Sequence, residues 1–185
     1  MKILYSIICI ILAVMMLSCG NVKKKNEYPA INVTGYLKGQ IKLLDSIPYG
    51  LLKVTANDKG KIDSVYITKK DVWNLVDPFL SATIDKEQLE TDYTETSFAD
   101  ATIESVVITY DAKDKDAAIN QITVYIRPDN GEINQIYITG YFTSGKQIMK
   151  KQLLWLHNQG CTIISSSTNE SSTLSQTITE KLIWQ

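Results

Sequence analysis

The stretch Asp129–Thr139 reads "DNGEINQIYIT", and 71 positions earlier Asp58–Thr68 reads "DKGKIDSVYIT". Six of the eleven positions are identical, and the pairs Asp63/Asn134 and Val65/Ile136 exchange like for like. Both copies begin Asp-x-Gly, where a hairpin needs a residue that tolerates positive φ. Both then run into Ile, Tyr and Thr, which suit a pleated, half-buried surface. Each copy therefore reads as a turn followed by a strand. Beyond the eleven positions the copies part, with "KKDVWNL" after one and "GYFTSGK" after the other. A duplicated domain would repeat its helix as well, and this chain does not. The repetition reads as one piece of folding grammar used twice.

Working outward from the second copy, the chain alternates strands and turns to its end. "ESVVITY" passes through the charged loop "DAKDKDAA" to "INQITVYIR", and "PDNG" turns it into "EINQIYITGYF". "TSGK" leads to "QIMKKQLLWLH", "NQG" to "CTIISSS", and "QTITEKLIWQ" closes the sequence. Connections this short cannot join parallel neighbours, so the strands form an antiparallel meander. Around the first copy, "GLLKVTA" alternates Leu52, Val54 and Ala56 against Lys53 and Thr55, and "NDKG" turns it back into Lys61–Thr68. Val33–Leu44 reads as a further strand, with Gly35 and Gly39 as bends or bulges.

Between the copies the period changes to that of a helix. Thr68 and Asp71 form a capping-box-like start, and Val72, Trp73, Val76, Phe79 and Leu80 fall on one face. Pro78 stops this helix at Asp77 or kinks it. Asp85 with Gln88 opens a second short helix that runs through Leu89 toward Tyr93. The fold class is α+β: a strongly curved antiparallel meander of about 8–9 strands, of half-barrel kind, with one or two short helices inserted at about residues 69–95.

The N-terminus sets the compartment. Met1 and Lys2 precede an apolar run from Ile3 to Leu17, shorter than the roughly 20 residues that span a bilayer and better matched to a secretory signal. The run ends in "MLSCG", which resembles the lipobox of bacterial lipoproteins, with small Ser18 before Cys19 and Gly20 after it. Met16, three before the cysteine, departs from the commoner Leu or Val. The resemblance implies removal of residues 1–18 and lipidation of Cys19, as in small envelope lipoproteins of Bacteroidota. Gly20 in place of a retention Asp implies the outer membrane, and a basic rather than acidic tether implies a periplasm-facing position. The chain then divides into a signal peptide (1–18), a lipidated cysteine with a polar tether (19–30) and one β-rich domain (31–185). Three lysines in the tether, Lys23, Lys24 and Lys25, read either as contacts to lipid phosphates or as the charge that keeps a linker solvated.

Cysteine usage and charge narrow the function further. With Cys9 in the signal and Cys19 acylated, Cys161 stands alone and no internal disulfide forms. Without Lys2, 18 basic side chains face 20 acidic ones, a net charge near −2. Such a balance provides no long-range attraction for nucleic acid. The expected partners are the membrane, through the lipid anchor, and an envelope protein or apolar ligand.

Few residues suggest chemistry. If Asn158, Gln159 and Gly160 form a hairpin loop with Gly160 left-handed, His157 and Cys161 face each other across two strands. That pair could make a thiolate–imidazole dyad or half a zinc site. It lacks further histidines, a Cys-x-x-Cys and a recognisable oxyanion hole, so no catalytic residue, metal site or cofactor is assigned. Asp111, Asp114 and Asp116 lack the Gly and distal Glu of a calcium loop, and Lys113 and Lys115 lie between them. Glu87, Glu90, Asp92 and Glu95 read as a wet helix face, and "SSSTNESST" (165–173) as a hairpin tip. The aromatics Trp73, Phe79, Trp155 and Trp184 are core candidates first and ligand-lining candidates second. A bent sheet with an apolar helix beside it is similar to the half-barrel lipoprotein carriers of acyl chains. The expected function is therefore a non-enzymatic, lipid-anchored envelope binding protein. A carrier or sensor with an apolar ligand between the sheet and the Trp73 helix is the alternative.

Overall fold

The computed structural model describes residues 31–47, 51–144, 147–168 and 175–184. Residues 1–30, with the expected signal peptide, Cys19 and tether, and residues 169–174, expected as a hairpin tip, lie outside the described residues. Nine strands form one sheet: β1 (Leu51–Asn57), β2 (Ile62–Ile67), β3 (Tyr93–Asp100), β4 (Ser105–Ala112), β5 (Ile119–Ile126), β6 (Ile133–Ser144), β7 (Gln147–Leu156), β8 (Gly160–Thr168) and β9 (Ser175–Ile183). Their order is β2-β1-β9-β8-β7-β6-β5-β4-β3, every neighbouring pair is antiparallel, and the sheet does not close into a barrel. The meander thus runs from β3 to β9, and the β1–β2 hairpin adds itself beside β9. This is the α+β antiparallel architecture the sequence implies.

Both sequence copies make the turn their Asp-x-Gly requires. Gly60 has φ +75° and Gly131 has φ +72°, a region that penalises any Cβ. The strand that follows is β2 in one case and β6 in the other.

Three helices cover one face: α1 (Val33–Leu44), α2 (Lys69–Ser81) and α3 (Lys86–Asp92). The first corrects the strand reading of Val33–Leu44. Its buried residues Val33, Leu37, Ile41 and Leu44 recur at helical spacing, and the Asn32 side chain accepts from Gly35 N–H at 2.7 Å as an N-cap. A Cβ on Gly35 would lie 2.5 Å from that Asn32 side chain, so this glycine serves the cap and makes no strand bulge.

Helix α2 starts as expected, with the Asp71 carboxylate accepting from the Thr68 hydroxyl at 2.7 Å and its backbone N–H at 3.3 Å. It does not stop at Asp77. Pro78 lies in the last turn, where the lost donor removes only one bond, and Ala82 N–H still donates to the Pro78 carbonyl. Helix α3 carries the Asp85/Gln88 capping box and ends at Asp92. Strand β3, which follows at once, is an addition to the sequence reading. Its inward positions Glu95 and Ser97 are polar, so no apolar alternation announces it.

The core lies between the helices and the sheet. Leu37, Ile41, Val76 and Phe79 from the helices meet Ile108, Ile122, Ile136, Ile138, Leu153, Trp155, Ile163 and Leu182 from the strands, all at 2 % exposure or less. Each such aliphatic side chain contributes about 1.5–3 kcal/mol by leaving water. This core is continuous from the helices to the central strands.

Candidate functional site

The aromatic set splits. Phe79 stands edge-on to Trp155 with ring centroids 5.2 Å apart and planes at 81°, and Trp155 leans on Trp184 at 5.3 Å. These three belong to the core. Trp73 does not join them. The buried stripe of α2 is Val72, Leu75, Val76 and Phe79, which turns Trp73 to the rim at 39 % exposure. There its indole Nε1 donates to Asp45 Oδ1 at 2.9 Å. The cavity beside it, lined by Ile41, Leu44, Leu51, Ile67, Val72 and Trp73 with Asp45 and Lys69, measures about 10 Å³. Drug-sized ligands occupy roughly 300–1,000 Å³. Trp155 Nε1 is buried with no hydrogen-bond partner among the described residues.

His157 and Cys161 do not face each other. Leu156 pairs with Gly160 and Trp155 with Cys161, so the loop is His157-Asn158-Gln159. The left-handed residue is Asn158 at φ +54°, not Gly160. Gly160 is small for a different reason: a Cβ there would stand 2.4 Å from the Leu182 carbonyl oxygen. Cys161 is 2 % exposed, and burial pushes its thiol up to about 12, which leaves no thiolate at neutral pH. His157 instead reaches helix α1, with Nδ1 2.7 Å from the Tyr36 hydroxyl and Nε2 2.8 Å from Asn158 Nδ2. In the arrangement that satisfies every donor, Asn158 donates to Nε2, Nδ1–H donates to Tyr36, and the Tyr36 hydroxyl donates to the Ile133 carbonyl at 3.3 Å. Burial, aided by Glu132, raises the Tyr36 phenol to about 12, so it stays neutral. The imidazole acts as a clamp between α1 and the ends of β6 and β7. The sequence could not show this contact once Val33–Leu44 was read as a strand.

The acidic candidates are tied up locally. Asp111 accepts from Gln121 Nε2 at 2.7 Å, and Asp114 accepts from Asp116 N–H at 2.9 Å. Among the described residues no group of three or more potential ligands could hold a metal ion. Two polar clefts open on the rim. One of about 590 Å³ lies between α3 and the β4–β5 loop, and one of about 300 Å³ includes the Lys53–Glu180 ion pair at 2.6 Å.

The open face of the sheet is the feature that pattern reading passed over. The residues that alternate with the core form rows across all nine strands. One row follows the pairings Tyr66–Leu52–Ile183–Gly160–Leu156–Gln135–Tyr125–Val107–Phe98 and carries no charge. The next runs Ser64–Val54–Lys181–Thr162–Leu154–Tyr137–Thr123–Thr109–Thr96, and the third Ile62–Ala56–Thr179–Ile164–Gln152–Thr139–Gln121–Asp111–Thr94. Lys181 and Asp111 are the charged side chains in these three rows. Most members are half-buried, and Val107, Thr123 and Gly160 are buried. The signal was present in each strand, where the second face is Thr, Tyr, Leu or Gln in place of Lys and Glu. No family model, no curated protein and no solved structure matches this chain.

Proposed function

We propose that this chain is a non-enzymatic, lipid-anchored interaction protein of the bacterial cell envelope, held through Cys19, with the open sheet face as its partner surface. The observation that carries the reading is the contrast between the two faces. One is covered by three helices, whereas the other presents three rows of mainly Tyr, Thr, Leu, Ile and Gln over nine strands, with Lys181 and Asp111 as their charged members. Soluble sheets commonly keep a wet face polar, and contiguous apolar area on a surface marks contact with another molecule. The anchor would keep this face near the outer membrane on its periplasmic side.

A photo-reactive side chain placed at Leu154, in the middle of the face, should capture a discrete envelope partner in intact cells. The same group at Lys113, on the rim, should not. Equal labelling at both positions would remove the face from consideration. Native mass spectrometry of the gently extracted chain should give the mass of the lipidated polypeptide, or a whole multiple of it, with no added lipid. A co-purifying lipid would favour the alternative, a carrier in which α2 swings away to open the space around Phe79, Trp155 and Trp184. Incorporation of labelled palmitate, lost in Cys19→Ala, tests the anchor itself.

A further inference from the structure

Strand β2 is an edge, yet its sequence is that of an interior strand. Its counterpart in the second copy, β6, is paired on both sides, by β5 and β7. There Ile136 is fully buried, whereas the equivalent Val65 is 53 % exposed, and β2 also exposes Ile62 at 70 % and Tyr66 at 74 %. Edge strands are ordinarily blunted by proline, a bulge or charge. β2 has no proline, keeps an unbroken register against β1 and carries one charge, Asp63.

We propose that β2 pairs with β2 of a second copy of this chain, antiparallel about a two-fold axis, which joins two nine-stranded sheets into one. Three observations select this occupant. First, nine alternating strands make the two edges, β2 and β3, run in the same direction. Edge-to-edge addition that is antiparallel and keeps the helices on one face is then available only between like edges. Second, the β3 edge resists self-pairing, because Asp92, Asp100 and Glu104 lie on or beside it with no basic residue between them in sequence. A two-fold would bring six such carboxylates to one seam. Third, β2 matches itself. Asn57 N–H donates to the Lys61 carbonyl, so the backbone groups of Ile62, Ser64 and Tyr66 point off the sheet, where Asp63 Oδ1 accepts from Ser64 N–H at 3.0 Å and would give way to the partner strand. With Ser64 on the axis, Ser64 meets its own image and each Ile62 lies opposite a Tyr66, a β-branched–aromatic pair made twice.

Cysteine cross-linking in the full chain tests the axis. A hydrogen-bonded antiparallel pair sets its Cα atoms about 5.5 Å apart, within disulfide reach. Mild oxidation of Ser64→Cys should therefore give a covalent dimer of twice the chain mass, whereas Phe98→Cys on the β3 edge should not. Buried Cys161 does not compete. In detergent, sedimentation of the unmodified chain should show a dimer. Tyr66→Lys should weaken it by roughly tenfold, since the two-fold doubles the lost pair. A monomer at every concentration, cross-linking at Phe98→Cys in preference to Ser64→Cys, or Ser64→Cys captured on a different polypeptide would each overturn the proposal.

Discussion

Asp58–Thr68 and Asp129–Thr139 share six of eleven residues and the same left-handed glycine turn, yet one becomes the outermost strand and the other the middle of the sheet. Local sequence decides that each forms a turn and a strand. It does not decide burial, which depends on what lies two strands away. Helix α2 departs immediately after β2, whereas β6 runs on for twelve residues and receives β7 along its length. The same positions therefore do different work: Ile136 is fully buried whereas Val65 stands in solvent, and Tyr137 is half-buried whereas Tyr66 is exposed. Ile67, like its counterpart Ile138, still packs against the core.

The largest effect that tests this contrast comes from matched truncations. Ile136→Ala should destabilise by about 2–5 kcal/mol, because it empties a fully enclosed site. Val65→Ala in dilute solution should stay within about 0.5 kcal/mol, as exposed substitutions do. Urea unfolding at low protein concentration measures both. Equal losses would mean that β2 is covered even in the monomer, and the comparison would break.

Next comes an alkaline limb that belongs to the β6 neighbourhood. Cys161 pairs with Trp155, which pairs with Ile136, and its thiol is raised from an ordinary 9.0 to about 12 by burial. The unfolded chain ionises this group first as pH rises. Its contribution to stability is thus fully present below pH 9 and is lost between about pH 9 and 12. Tyr36 and Tyr110, also raised to about 12 by burial, add to the loss above pH 10. Cys161→Ala should flatten the first part of this limb in a series of thermal midpoints. Rapid alkylation of native Cys161 at pH 7 would contradict its burial.

The turns should behave alike where the strands do not. Gly131→Val and Gly60→Val should each cost more than about 1 kcal/mol, because the strain lies in the backbone and not in the surroundings. Neither glycine has a neighbour within 4 Å of a built Cβ, so steric crowding plays no part. A cost at Gly131 alone would show that the two turns share spelling but not conformation.

Much of the fold was legible because strands here announce themselves by turns. Asp-x-Gly, the short connections and the capping pairs at Thr68 and Asp85 gave eight of nine strands and two helices. What failed did so for identifiable reasons. α1 was misread because its two glycines look like strand bends, while its true signal, Val33-Leu37-Ile41-Leu44, needed a helical count. β3 was missed because an edge strand with Glu95 and Ser97 facing inward has no apolar alternation. For the site, cross-strand register could not be fixed by counting loop residues. The loop begins one residue earlier than the count suggests, which shifts the partner of Cys161 by two positions, from His157 to Trp155, and dissolves the dyad. The aromatic reading divided likewise, since Val72, Val76 and Phe79 fit a helical face completed by Trp73 as readily as one completed by Leu75, and the latter is the buried one. The open rows required all eight pairings at once, and no single strand displays them.

The smallest expected effect separates the two tyrosines of the repeat. Tyr137 is half-buried on the open face between Thr123 and Leu154, its cross-strand neighbours. Loss of two such contacts should make Tyr137→Thr cost about 0.5–1.5 kcal/mol. Tyr66 has one cross-strand neighbour, Leu52, and three-quarters of its surface in solvent. Tyr66→Thr should therefore change stability by only about 0.2–0.5 kcal/mol in dilute solution, with Thr itself a competent strand former. At high protein concentration the ranking should invert, because self-pairing through β2 would place Ile62 of the second copy opposite Tyr66. A thermal midpoint of the parent chain that rises with concentration, and a Tyr66→Thr midpoint that does not, would join the edge strand to its interior twin. If the two proteins respond identically to concentration, β2 is a solvated edge and the likeness to β6 ends at the turn.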